Sequence, residues 1–127
     1  MKSWVIANLI TIDGLGGLVT GVLILGLAPY LATIEGLPES VIWFDCAGHL
    51  LYGTCAVILS RQAVRSTRWL RTLSLANMFW LIPCIAMIVL NRATITPWGS
   101  LHLIAEGLYV FALGALEWRV RDQLIYR

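Results

Sequence analysis

The sequence predicts an all-α integral membrane protein, a four-helix bundle of up-and-down topology with both termini cytoplasmic. Three observations carry this. Of 127 residues 59% are hydrophobic and 13% charged, at a mean hydropathy of +0.81, which leaves too little polar surface for a soluble domain. The apolar residues gather into four runs, about 4–31, 41–60, 72–90 and 98–118, each near the ~20 residues that cross a bilayer core. The basic residues fall on alternate connections. Lys2, Arg61, Arg65, Arg68, Arg71, Arg119, Arg121 and Arg127 lie on one side and Arg92 alone on the other, an asymmetry that marks the cytoplasmic side.

The first run opens at Trp4 after a single lysine and holds Asn8 and Asp13. Its length, its internal aspartate and the lack of an A-x-A site before Glu35 favour a retained span over a cleaved signal peptide. Asp13, Gly17 and Gly21 recur at i, i+4, i+8, so a glycine face admits a neighbouring helix and turns the aspartate inward with it. Pro29 is expected to close this helix, because it leaves the Leu25 carbonyl without a donor.

A short acidic connection around Glu35, Pro38 and Glu39 leads to the second run, and four arginines from Arg61 to Arg71 fill the next connection. The third run carries Asn77 near its start and Pro83 within it; the proline frees the Phe79 carbonyl and is expected to kink the helix. Pro97 suits the first turn of the fourth helix. Trp98 and Trp118 bracket that helix, where amphipathic rings prefer the membrane boundary. The whole chain, 1–127, reads as one transmembrane domain. A faint internal repeat aligns Ala7-Asn8 with Ala76-Asn77, and Asp45, His49 and Tyr52 with His102, Glu106 and Tyr109.

The candidate site lies in those matched positions. His102, Glu106 and Tyr109 are spaced i, i+4, i+7 on one helical face, and Asp45, His49 and Tyr52 repeat that spacing. At about 1.5 Å per residue, His49 and Glu106 both lie roughly 12 Å below the outer boundary and Asp45 and His102 roughly 6 Å. Asp13 comes to roughly 13–14 Å from the inner boundary, near the level of Tyr52 and Tyr109. The expected proton- or ligand-binding set is Asp13, His49, Tyr52, Glu106 and Tyr109, with Asp13, His49 and Glu106 at its centre. A divalent metal ion would use His49, His102, Glu106 and Asp45. The pairs Asp45–His49 and His102–Glu106 also admit a purely structural reading, each fixing its helix by an i, i+4 contact. Asn8 and Asn77 are expected to bond across helices, and Glu117 beside Trp118 and Arg119 to lie at the inner boundary.

These features point to an inner-membrane, multi-pass, non-enzymatic protein that binds a proton, a metal ion or a small cation, with transport of that species as its use. The competing classes are an accessory subunit of a larger membrane complex or homo-oligomer and, last, a metal-dependent membrane enzyme. No nucleophile–histidine–acid set, H-E-x-x-H or phosphate loop is present. The lipid bilayer is the expected partner, and no basic stripe suggests nucleic acid. Cys46, Cys55 and Cys84 sit in apolar runs without paired spacing and read as small buried side chains. From the charge asymmetry, a reporter active only in the periplasm should be silent when fused after Arg127 and active when inserted near Glu35. The opposite pattern would reverse the orientation.

Overall fold

In a computed structural model that describes residues 3–126, the chain is helical throughout, with connections of a few residues. The helices are α1 (Ser3–Glu35), α2 (Glu39–Ser60), α3 (Thr67–Phe79), α4 (Leu81–Leu90) and α5 (Pro97–Val120), followed by a 3-10 turn, Arg121–Gln123. α3 and α4 are two halves of one span, so four helical stretches among the described residues are long and apolar enough to cross a membrane. Lys2 and Arg127, two of the residues behind the charge asymmetry, lie outside the described residues.

α1 and α2 run antiparallel along a glycine seam. A Cβ on Gly14 would meet Ala56 and Val57 at 2.9 Å, one on Gly17 the His49 carbonyl at 3.3 Å, and one on Gly21 the Leu50 side chain at 2.7 Å. Contact is closest at Gly53, where a Cβ would stand 2.7 Å from the Leu18 nitrogen and 2.8 Å from the Gly14 oxygen, both backbone atoms. The expected glycine face of α1 is therefore filled by α2 within the same chain. α5 packs on α3, α4 and α1, whereas α2 touches α3 only lightly. One apolar core sits among Ile24, Ala28, Cys46, Cys84, Met87 and Leu103, and a second among Leu9, Ile10, Ala56, Leu70, Leu73 and Leu124.

Pro29 does not end α1, which continues to Glu35. A single missing backbone bond is tolerated because Ala28 and Glu35 on either side are both buried against the bundle. The expected break at Pro83 does occur. It falls at Trp80, between α3 and α4, a single residue that keeps helical dihedrals (φ −60°, ψ −25°) and donates from N to the Asn77 carbonyl. α3 starts at Thr67 rather than 72, which places Arg68 and Arg71 on the helix.

Both ends of the bundle are clasped. At one end Gly36, with φ +67°, reverses the chain; Thr96 N donates to the Glu35 carbonyl, and Thr96 Oγ1 donates to that of Ile34 while capping Gly99 N. At the other, Arg65 is buried, 2% exposed, and donates from Nη1 to the Leu124 carbonyl and from Nη2 to that of Ser60. Arg65 thus serves as a clasp on the C-terminal segment as well as contributing to the charge count. All three cysteines are free, and Cys46 donates to the Gly21 carbonyl.

The seam generates a stability prediction. Gly53→Ala should cost about 1–3 kcal/mol, because backbone atoms cannot move aside for the added methyl. Gly26→Ala, with open space around its position, should be neutral or gain up to about 1 kcal/mol of helix propensity. Unfolding in mixed detergent micelles measures both, and equal stability of the two variants would mean that the helices are not in backbone contact.

Candidate functional site: an acid–histidine cluster and a hydroxyl–amide cluster

The break in the third span places Trp80 at the centre of the bundle. Its ring lies against Gly48 so closely that a Cβ there would come within 2.2 Å of it. Phe44 stacks on the ring at 5.9 Å between centroids, and His49 meets it edge-on at 6.2 Å. The indole Nε1–H donates to Glu106 Oε1 at 2.6 Å. The same oxygen lies 3.2 Å from His49 Nε2, which hydrogen-bonds to it when that nitrogen carries the proton. His49 Nε2 is also 3.8 Å from Asp45 Oδ1, so one ring nitrogen stands between two carboxylates.

His49 and Glu106, placed at one depth by counting residues, therefore do meet. The i, i+4 neighbours are the looser contacts: His102 Nε2 lies 3.8 Å from Glu106 Oε2, and Asp45–His49 is the same distance. The tighter partner of His102 is Glu35, whose Oε1 is 2.8 Å from His102 Nδ1. Acid and imidazole thus alternate across four contacts, from Asp45 through His49, Glu106 and His102 to Glu35.

Asp13 does not belong to this centre. It forms a second cluster, in which the Tyr52 hydroxyl donates to Asp13 Oδ2 through a very short hydrogen bond and Asn77 Nδ2 donates to the same oxygen at 2.8 Å. Asn77 also lies 2.7 Å from the Tyr52 hydroxyl, closing a triangle between α1, α2 and α3. Glu117 is fully buried against Asp13, Tyr52 and Ser74 rather than lying at the boundary. Its spacing from Glu106, i+11, returns it to the same side of α5, a signal that its neighbours Trp118 and Arg119 obscured.

Two further expectations resolve differently: Tyr109 borders the cavity described below, and Asn8 stays on its own helix. Tyr109 is 65% exposed. The buried stripe of α5 runs through Gly99, Leu103, Gly107, Gly114 and Glu117; at 3.6 residues per turn Glu106 lies about 20° from its near edge, and Tyr109 about 80° from it. Asn8 bonds back to the Trp4 carbonyl of its own helix instead of crossing to another, so only Asn77 joins helices. Trp80 and Glu35 were not expected. The step from Pro83 back to Trp80 points to the first, whereas nothing in the sequence links Glu35 to His102.

Both clusters line one cavity of about 450 Å3, with Asp13, Tyr52 and Asn77 along one part and His49, Trp80 and Glu106 along another. Asp45, His49 and Glu106 each present one donor atom within 4.8 Å of the other two. A metal–ligand bond of about 2.0–2.2 Å sets donors roughly 3–3.5 Å apart, so the pair at 3.2 Å already fits, and Asp45, 3.8 Å from His49, would have to move inward. Asp45 Oδ1 and Glu106 Oε2 are buried without a hydrogen-bond donor, as atoms that accept a cation or proton would be. His102, the fourth expected ligand, stands outside this group, held toward Glu35. The chain matches no protein-family model, and neither a curated protein nor a solved structure is similar to it.

The hydroxyl–amide cluster yields its own prediction. Asp13→Ala leaves the Tyr52 hydroxyl and the Asn77 amide without their acceptor and should cost about 1–3 kcal/mol. Asn8→Ala, which removes only a local bond, should change stability by less than about 0.5 kcal/mol. Denaturant titration of the two variants checks the difference, and a neutral Asp13→Ala would mean that the triangle is not formed.

Proposed function

We propose that this is a multi-pass protein of the cell inner membrane, with both termini cytoplasmic, whose Asp45–His49–Glu106 cluster binds a divalent cation or the protons that compete with it. The role is binding without catalysis, and transport of the bound species is its use. The observation that carries the reading is the convergence of three donor atoms within 4.8 Å of one another, two of them on carboxylates that each keep one buried oxygen, Asp45 Oδ1 and Glu106 Oε2, without a hydrogen-bond donor. Buried ionisable groups in a membrane bundle are costly, which makes an uncompensated pair of them a marker of a binding site.

Three further features support it. Trp80 fixes the Glu106 carboxylate from behind, as an outer hydrogen bond orients a metal ligand. The Asp13 cluster lines the same cavity and offers a second polar station along it. The interrupted backbone at Trp80 provides a joint beside the cluster. A second reading, an accessory subunit of a larger membrane complex, is favoured by the outward side of α1, where Gly16 and Gly26 meet nothing within 4 Å. Recovery of a defined partner after purification in mild detergent supports that reading.

Calorimetry with Mn2+ tests the binding proposal. The wild type should bind, and Glu106→Gln should weaken binding at least tenfold, a cost of about 1.4 kcal/mol. Affinity should fall as the pH is lowered, because protons compete for the same imidazole and carboxylates. A wild type that binds neither Mn2+ nor protons, or a Glu106→Gln variant that binds as well as the wild type, would sink the proposal.

A further inference from the structure

The cavity that holds Glu106 is larger than an ion requires. At about 450 Å3 it falls in the range of roughly 300–1,000 Å3 typical of sites for small organic molecules. Its walls are largely apolar and include Ile12, Leu51, Trp69 and Leu73. Three of these, Ile12, Leu51 and Trp69, are exposed on the outside of the bundle. The cavity therefore opens sideways, along the seam where α2 and α3 touch only lightly. A second cavity of about 290 Å3, lined by Cys55, Ile58, Leu59, Gln62 and Trp69, continues that seam and shares Cys55 and Trp69 with the first.

The deep part holds two acids and two imidazoles. Asp13 and Glu106 line the cavity with His49 and His102, which are engaged with Glu106 and Glu35, and no lysine or arginine among the described residues lines it. Asp13 is already served by two donors on one oxygen. Glu106 also has two groups at one oxygen, Trp80 and His49 at Oε1, but its Oε2 is buried with no hydrogen-bond donor, the His102 Nε2 standing 3.8 Å away. An apolar groove thus leads from the flank of the bundle to an acceptor in need of a donor. A zwitterionic lipid headgroup fits less well, since no lysine or arginine lines the cavity to pair its phosphate and the two imidazoles are engaged with Glu106 and Glu35. A hydroxyl supplies the donor but brings no positive charge. A protonated amine supplies both.

We propose that the cavity is a binding site for a lipophilic ammonium ion, a primary or secondary amine with an alkyl or aromatic tail. The ammonium N–H donates to Glu106 Oε2, with the Trp80 and His49 rings beside it. The tail lies along the α2–α3 seam against Leu51, Cys55 and Trp69. This rests on the reading that Glu106 binds cations, and it adds the class of cation and its route of entry from the side.

The test uses the full chain in lipid nanodiscs and the indole N–H resonances of Trp80 and Trp69, assigned by replacing each with phenylalanine. Trp80 reports on the head, because its N–H bonds to Glu106, and Trp69 reports on the tail. Added n-octylammonium should shift both saturably, n-octanol should bind about tenfold more weakly or worse, and Glu106→Gln should weaken the amine by about tenfold or more. Ala76→Phe, at an exposed position on the cavity wall, should weaken octylammonium while leaving Mn2+ binding unchanged. If Mn2+ binds but octylammonium does not, the lipophilic site is overturned and the cation reading stands. If neither binds, both fall. Octanol binding as tightly as the amine, or Ala76→Phe binding octylammonium like the wild type, also overturns the inference.

Discussion

A carboxylate held away from water must be met by donors or by a positive charge, and the centre of this bundle is arranged around that requirement at Glu106. Its Oε1 draws the Trp80 indole from the third span and the His49 imidazole from α2, so one oxygen joins three of the four spans. Trp80 reaches it because Pro83 interrupts the backbone hydrogen bonding and frees the chain to turn at that residue. The ring then needs room, which Gly48 supplies; any side chain there would occupy the indole's place. Proline, tryptophan and glycine, on two different helices, form one device for presenting an N–H to a carboxylate.

The second constraint is the close approach of α1 to α2. Backbone contact at Gly14, Gly17 and Gly53 sets the register of the two helices, and that register brings Asp13 opposite Tyr52. The same contact draws α2 toward α1 and leaves α2 only lightly engaged with α3. Asn77 is the polar link across that weak seam, bonding to both Asp13 and Tyr52. The seam is thus a consequence of where the glycines are.

Much of this can be read from the sequence, and the part that cannot has a physical reason. Length and hydropathy give four spans, and rise per residue places His49 level with Glu106 because depth along a helix is a one-dimensional property. Rotation about the axis is less secure. Tyr109 shares a face with Glu106 by spacing and lines the same cavity, yet the buried stripe follows Leu103, Gly107 and Gly114, where small residues let neighbours approach, and leaves the tyrosine mostly exposed at the rim. Pairings between helices are not written in any one helix: Glu35 with His102, and Glu117 with Asp13, depend on how three helices are placed around each other. The persistence of α1 past Pro29 belongs to the same class, since burial of Ala28 and Glu35 on either side outweighs the lost bond locally.

The two polar clusters differ in a way that bears on their roles. In one, an Asp13 oxygen receives two donors, and the triangle with Tyr52 and Asn77 closes on itself, as a structural network should. In the other, Asp45 Oδ1 and Glu106 Oε2 are buried without hydrogen-bond donors, and a single histidine nitrogen serves two carboxylates. Each unmet buried acceptor costs about 1–3 kcal/mol, and apolar residues of similar volume would pack these helices without that cost. Structural need accounts for the Asp13–Tyr52–Asn77 triangle; the buried Glu117 beside it, whose two oxygens also have no hydrogen-bond partner, and the Asp45–Glu106 pair are both left in deficit. Local rules are broken at functional sites more often than elsewhere, and what sets the second cluster apart is that two carboxylates and an imidazole converge there within 4.8 Å.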